Sequence, residues 1–281
     1  MNKNTKIRNT AVLLLCALGL SSFVILQEES NPMPEDSAVF KHRIMENKAF
    51  ELGEKLYYRV HYGIINAAKI SIKIDDSYAS YKEKEAYHIA INGYTLRAFD
   101  WMFKVRDKFD SYVDKGSLAP LKYTKVVREN KYKDVDYAVF VPELSQIYTQ
   151  KAKDGKIATK KGYTYDIASA LLYVRNLDFS NAKNGDTFPI NIYLDNTIYE
   201  LSFKYAGKET IKSDVGKVKC IKLIPKLVVD RVFGDEEAMT VWVSDDENRI
   251  PIRVKADLKV GSIKVDLTSH SGLKNTFSSK L

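Results

Sequence analysis

Four histidines, two cysteines and 36 acidic side chains are the groups with which this 281-residue chain would do chemistry. His42, His61, His88 and His270 stand far apart, with no His-x-x-x-His pair to put two imidazoles on one helix face, so no zinc site is expected. Asp107, Asp110 and Asp114 lack the Asp-x-Asn-x-Asp-Gly order of a calcium loop, and Asp235-Glu236-Glu237 and Asp245-Asp246-Glu247 read as solvated turns. Cys220, between Lys219 and Ile221 in an alternating run, reads as a small packed residue with no histidine beside it to favour the thiolate. There is no Gly-x-Ser-x-Gly elbow, and the 13 glycines are spread singly rather than gathered into a phosphate loop. A pair of carboxylates for glycoside hydrolysis can be nominated from any set of acids this large, so nominating one carries little information. No enzyme, metal or cofactor is expected.

A binding site is the reading that remains. Residues 94–109, YTLRAFDWMFKVRDKF, combine Tyr94, Phe99, Trp101 and Phe103 with Arg97, Arg106 and Asp107. Such a segment closing a concave sheet would shelter an apolar ligand and orient its headgroup with the charges at the rim. Tyr173 and Arg175, further along the chain, would line the same opening. The alternative, that these aromatics plug the end of the sheet as core, stands beside it.

The elements that would position this site read mostly as strands. From Ile250 to Val260 apolar and polar residues alternate, a strand with one dry and one wet face, and Gly261-Ser262 supplies a two-residue turn into Ile263, Val265 and Leu267. Met239, Val241 and Val243 add a third strand across Asp245–Asn248. The same alternation recurs over 56–62, 68–74, 86–92, 120–128, 132–141, 188–194, 198–205 and 217–225, with Asp154-Gly155 as the strongest short hairpin signal. Thr95 would cap one or two helical turns within 94–109. Residues 166–177 form the one good helix, with Asp166 as N-cap and Ile167, Ala170, Leu171 and Val174 as its apolar stripe. About a dozen short strands with one or two short helices predict an all-β fold: a curved antiparallel sheet, arranged as a half-barrel, clam or sandwich.

The N-terminus reads as a secretory signal over 1–26, with Lys3, Lys6 and Arg8 before an apolar run from Ala11 to Leu26; an uncleaved anchor is the alternative. Cys16 follows Leu15 where a lipid-attachment site needs a small residue, so lipidation is not expected. A Pro-containing linker over 27–47, one antiparallel domain over 48–268 and a fraying Ser/Lys/Asn-rich tail over 269–281 complete the division. Net charge is +8, of which the signal carries +3, and the remaining Lys and Asp are interleaved as on a solvated sheet face rather than gathered into a nucleic-acid patch.

Four blocks carry a family resemblance: Gly53–Tyr57 (GEKLY), Arg106–Tyr112 (RDKFDSY), Tyr173–Leu177 (YVRNL) and Trp242–Pro251 (WVSDDENRIP). Together they resemble exported proteins of Gram-negative bacteria grouped as domain of unknown function 3108. The Trp-to-Pro block is also similar to a hairpin of periplasmic half-barrel lipid and lipoprotein carriers. The resemblance implies an envelope location and a curved antiparallel sheet, and it implies no activity. Function is therefore expected to be non-catalytic binding, in the periplasm, of a lipid, a glycan or an envelope protein. A module pairing through its sheet edge, and a hydrolase of envelope polymers, are the alternatives.

Overall fold

The computed structural model describes residues 43–101, 103–159, 162–226, 235, 237–259 and 261–281. The signal expected over 1–26, its alternative as an anchor, and most of the 27–47 linker lie outside the described residues. In chain order the strands are β1 (Lys55–Tyr62), β2 (Ile65–Ile74), β3 (Ala79–Tyr81), β4 (Lys84–Thr95), β5 (Arg106–Asp114), β6 (Pro120–Glu129), β7 (Tyr132–Val141), β8 (Gln146–Thr149), β9 (Lys156–Ala158), β10 (Thr164–Tyr165), β11 (Thr187–Leu194), β12 (Thr197–Ser213), β13 (Gly216–Pro225), β14 (Met239–Ser244), β15 (Pro251–Asp257) and β16 (Ser262–Ser271). One helix, α1 (Ile167–Arg175), falls between β10 and β11.

All the strands belong to one sheet, ordered β10-β11-β12-β13-β14-β15-β16-β1-β2-β4-β5-β6-β7-β8-β9, with β3 pairing β4 beside it. Pairing is antiparallel except between β10 and β11. The first and last long strands, β1 and β16, meet in the middle. The sheet curls until its two ends touch: Tyr193 of β11 reaches Asp136 of β7 at 3.1 Å and Thr149 of β8 at 3.3 Å. The predicted alternation is what buries one face, with Ile250, Ile252, Val254, Ala256, Ile263, Val265 and Leu267 all turned inward.

Helix α1 lies inside this curl, against β4, β5, β10 and β11. Its start is fixed as the sequence predicts. The Asp166 side chain accepts from Ala168 N at 2.8 Å and Ser169 N at 3.1 Å, while Asp166 N donates to Ser169 Oγ at 3.0 Å. Ser111 of β5 donates to the same carboxylate at 2.7 Å, which ties the cap to the sheet.

Three expectations change. Strand β15 ends at Asp257 and β16 begins at Ser262, so the turn is longer than two residues, and Leu258 N donates to Gly261 O at 3.0 Å across it. Gly261 stands at φ 80°, and a Cβ there would come within 3.0 Å of the Tyr62 hydroxyl. Thr95 caps no helix. Its hydroxyl donates to Asp100 at 2.8 Å and accepts from Val105 N at 3.1 Å, and the described residues of the β4–β5 connection carry one 3₁₀ turn, Arg97–Phe99. The tail is docked rather than frayed. Residues 269–271 finish β16, Ser279 bonds the Asp246 carboxylate at 2.7 Å, Asn275 N donates to Asn248 at 2.9 Å, and Lys280 bridges Val218. Its polar side chains and backbone are held by hydrogen bonds to a turn, a pattern that composition does not show.

Candidate functional site

The apolar stripe of α1 does not close onto the sheet. Ile167, Ala170, Leu171 and Val174 form one wall of a cavity whose other walls are inward-facing residues of β1, β2 and β12–β16, among them Ile70, Leu223, Val241, Val254 and Val265. Register places Val241, Val254 and Val265 in one row with Val60, and Ile72 in a row with Leu56. The lined span is therefore about 13 Å along the strands. Its volume, about 100 Å³, falls short of the roughly 150 Å³ of an apolar cavity that admits benzene. As it stands the space suits the end of one aliphatic chain.

Two lining side chains are polar, Tyr58 and Arg175. The Tyr58 hydroxyl is buried and has no hydrogen-bond partner, and burial pushes its phenol far above the usual range. A hydroxyl left so costs about 1–3 kcal/mol unless something else accepts its proton. Sequence reasoning missed it, although in Leu56–Val60 it is the one polar tip on an otherwise apolar row.

Arg175 is already committed. It is 1% exposed and forks onto Glu54, also 1% exposed, at 2.5 and 2.8 Å. It also donates to Asn248 O and Ala49 O, both at 2.9 Å, and lies over the Phe50 ring. The neighbouring Arg249 caps the end of α1 through the Leu177 carbonyl. Three of the four resemblance blocks thus meet at a buried ion pair that closes the floor of the cavity.

The remaining expected site residues lie elsewhere. Tyr94, Arg97 and Trp101 are exposed and Phe99 and Phe103 half-buried, all in or beside the β4–β5 loop, and none lines the cavity. Arg106 pairs with Asp100 at 2.7 Å within that loop. Tyr173 stacks on Tyr165 at 4.5 Å and meets the Arg43 guanidinium, which also bonds the Tyr165 hydroxyl at 2.7 Å, so the end of the expected linker is anchored here.

Asp107 is buried in the other half of the curl beside Glu129. Burial, then the neighbouring Asp107 charge, pushes Glu129 up to about 9, and burial raises Asp107 as well. This is the paired-carboxylate chemistry a hydrolase would use, yet both side chains are closed off from solvent. Around them Lys125 pairs with Asp195 and, at 3.3 Å, with Asp134. His88 bridges Asp75 at 2.8 Å and Asp110 at 3.0 Å on the outer face, and these hydrogen bonds raise its pKa. Among the described residues no three His, Cys, Asp or Glu side chains gather as a metal site. Nor is any helix there long and apolar enough to cross a membrane.

Residues 57–268 match the family described as "Protein of unknown function (DUF3108)". The chain belongs to that family. Among solved structures it is similar to the beta-barrel-like protein of domain of unknown function DUF1849 from Brucella abortus, with a TM-score of 0.50, 9% identity, and 81% of this chain and 100% of that one covered. The hypothetical protein CT021 from Chlamydia trachomatis is similar at a TM-score of 0.36 and 7% identity, over 79% of this chain and 88% of that one. No curated protein matches the sequence. At 9% identity the likeness to the Brucella abortus protein is one of fold alone, a curled sheet like this one.

Proposed function

We propose that this DUF3108 protein is a non-catalytic, exported, periplasmic binding protein that takes the apolar chain of an envelope lipid between α1 and the concave sheet face. The observation that carries the reading is the unpartnered Tyr58 hydroxyl inside a cavity that is apolar apart from Tyr58 and the paired Arg175. Arg175, the one cation among the described residues lining the cavity, has spent its charge on Glu54 and is not available to an anionic headgroup. The buried part of the ligand is therefore uncharged, an acyl chain with an ester or amide carbonyl to accept from Tyr58. The signal-like N-terminus supports export.

Neither alternative gains support from the geometry. The strands ending the sheet path, β9 and β10, are three and two residues long, too short to template a partner strand. The Asp107–Glu129 pair is shut away from any polymer.

The test is calorimetric titration with glycerol monolaurate, which carries a carbonyl, against dodecanol, which does not. Tyr58→Phe should weaken monolaurate binding about fivefold, the worth of one neutral hydrogen bond. Leu171→Trp, which fills the cavity from a half-buried helix position, should abolish binding of both. Undiminished binding by Leu171→Trp would place the ligand elsewhere.

A further inference from the structure

Four connections lie next to one another at one end of the strands: those between β15 and β16, β1 and β2, β4 and β5, and β6 and β7. Gly63 N donates to Ser262 O at 3.0 Å, Leu96 N to Ala67 O at 3.0 Å, and Asn130 N to Lys104 O at 2.8 Å. Lys104 N returns to Asn130 Oδ1 at 2.8 Å. The first two bonds tie a connection to a neighbouring strand, β16 or β2, and the Lys104–Asn130 pair ties two connections to each other, so the four lie side by side as one rim. Four apolar side chains on or beside it point outward: Ile64 is 99% exposed and Trp101 84%, with Ile65 and Tyr94 also exposed, whereas Phe103 and Leu258 pack against the core. Chain-end fraying does not explain them: Ile65 and Tyr94 stand at the ends of β2 and β4, and Ile64 and Trp101 on connections that hydrogen bonds tie to neighbouring strands.

Charge on this rim is one-sided. Arg97, Lys104, Lys131 and Lys259 are exposed. The acids nearby are already neutralised, Asp100 by Arg106 at 2.7 Å and Asp257 by Lys255 at 3.1 Å. A tryptophan, a tyrosine and isoleucines raised on separate tips, with cations between them, do not make the flat or grooved patch that a folded protein needs. They match a soft surface that is apolar beneath an anionic layer.

We propose that this rim docks onto anionic lipid surfaces, with Ile64 and Trp101 entering the acyl boundary and Arg97, Lys104, Lys131 and Lys259 meeting the phosphates. The inference stands whether or not the cavity takes a lipid, since none of these residues lines it.

Trp101 is one of two tryptophans in the chain and so reports on its own position. The full chain is mixed with vesicles of phosphatidylglycerol and brominated phosphatidylcholine, and a Trp101→Phe sample gives the Trp242 background to subtract. Trp101 emission should shift to the blue and be quenched at least twofold. The effect should disappear in Arg97→Glu/Lys259→Glu, and at 1 M salt, where the screening length falls to about 3 Å. Because the signal comes from Trp101 itself, an N-terminal segment held in the bilayer cannot mimic it. An unquenched Trp101 overturns the proposal. Equal quenching in purely zwitterionic vesicles overturns it too, because the cations would then play no part. A blue shift that grows with protein concentration in the absence of vesicles would assign the rim to a second copy of the chain instead.

Discussion

The two halves of the curled sheet share one backbone pattern and have opposite interiors. Around α1 the inward positions of β1, β2 and β13–β16 carry mostly Val, Ile and Leu, and they border an apolar cavity of about 100 Å³. Across β5–β8 and β11 the inward positions include Asp107, Lys125, Glu129, Asp136, Thr149 and Tyr193. Alternation decides which residues face inward and leaves open what the inside is for. The apolar half gains burial energy from nearly every residue and can leave space for a guest. The polar half takes charged and polar groups out of water and leaves some of them, such as Tyr123 OH and the Glu129 oxygens, without a hydrogen bond, which costs stability, while Tyr193 and Lys125 lock the ends of the sheet together.

The sharpest way to break this contrast is to remove one cation from each half. Arg175→Met leaves the Glu54 carboxyl at 1% exposure without its partner. Loss of about 3–5 kcal/mol is expected, a fall in Tm on the order of 10 °C. Adding Glu54→Gln should recover more than half of it. Lys125→Met should cost less, because Asp195 is 53% exposed and can turn to water. Thermal unfolding followed by circular dichroism compares them. Equal losses would mean that both pairs work alike and the two halves do not differ as described.

A smaller effect separates the halves by pH. Glu129 ionises at about 9 in the fold against 4.5 in the unfolded chain. Between those values the folded state holds a proton that the unfolded state has released, so stability falls as pH rises across the window. Asp107 acts in the same direction. Glu129→Gln should therefore be more stable than the parent, by a margin in Tm that widens from pH 5 to pH 9. Leu171→Phe, in the apolar half, should show a margin independent of pH. A flat difference for Glu129→Gln would mean that the carboxylate is solvated.

How much of this was legible in the sequence follows from the same contrast. The dry half announces itself: Ile250–Val254 and Ile263–Leu267 alternate without a break, and Asp166 with its apolar stripe marks the helix. The stripe was legible, but that it borders a cavity was not, since periodicity gives a face and says nothing of the distance to the next one. The wet half is opaque because a buried Glu129 and a solvated Lys131 look alike in a charged, alternating strand. The loop over 94–109 misled for a related reason. Its aromatics sit close to helical spacing, yet Thr95 and Asp100 hold the backbone in another shape, and no window of local residues shows a bond from Thr95 to Val105. The docked tail was missed likewise, because its partners, Asp246 and Asn248, are some thirty residues upstream.

The smallest expected effect bears directly on the apolar half. Tyr58→Phe removes one oxygen and leaves the ring that packs beside Ile70 and Val60. In the empty protein that oxygen has been taken out of water for no bond in return, so its loss should stabilise the fold by about 1 kcal/mol, a rise in Tm of about 2–4 °C. With glycerol monolaurate bound, the hydroxyl has found its acceptor, and the same substitution should shrink the ligand's stabilising effect. A residue that served packing alone would change neither sign nor size between the two conditions. The crossing of the two melting curves, measured on parent and variant with and without ligand, is what distinguishes a binding hydroxyl from a core defect.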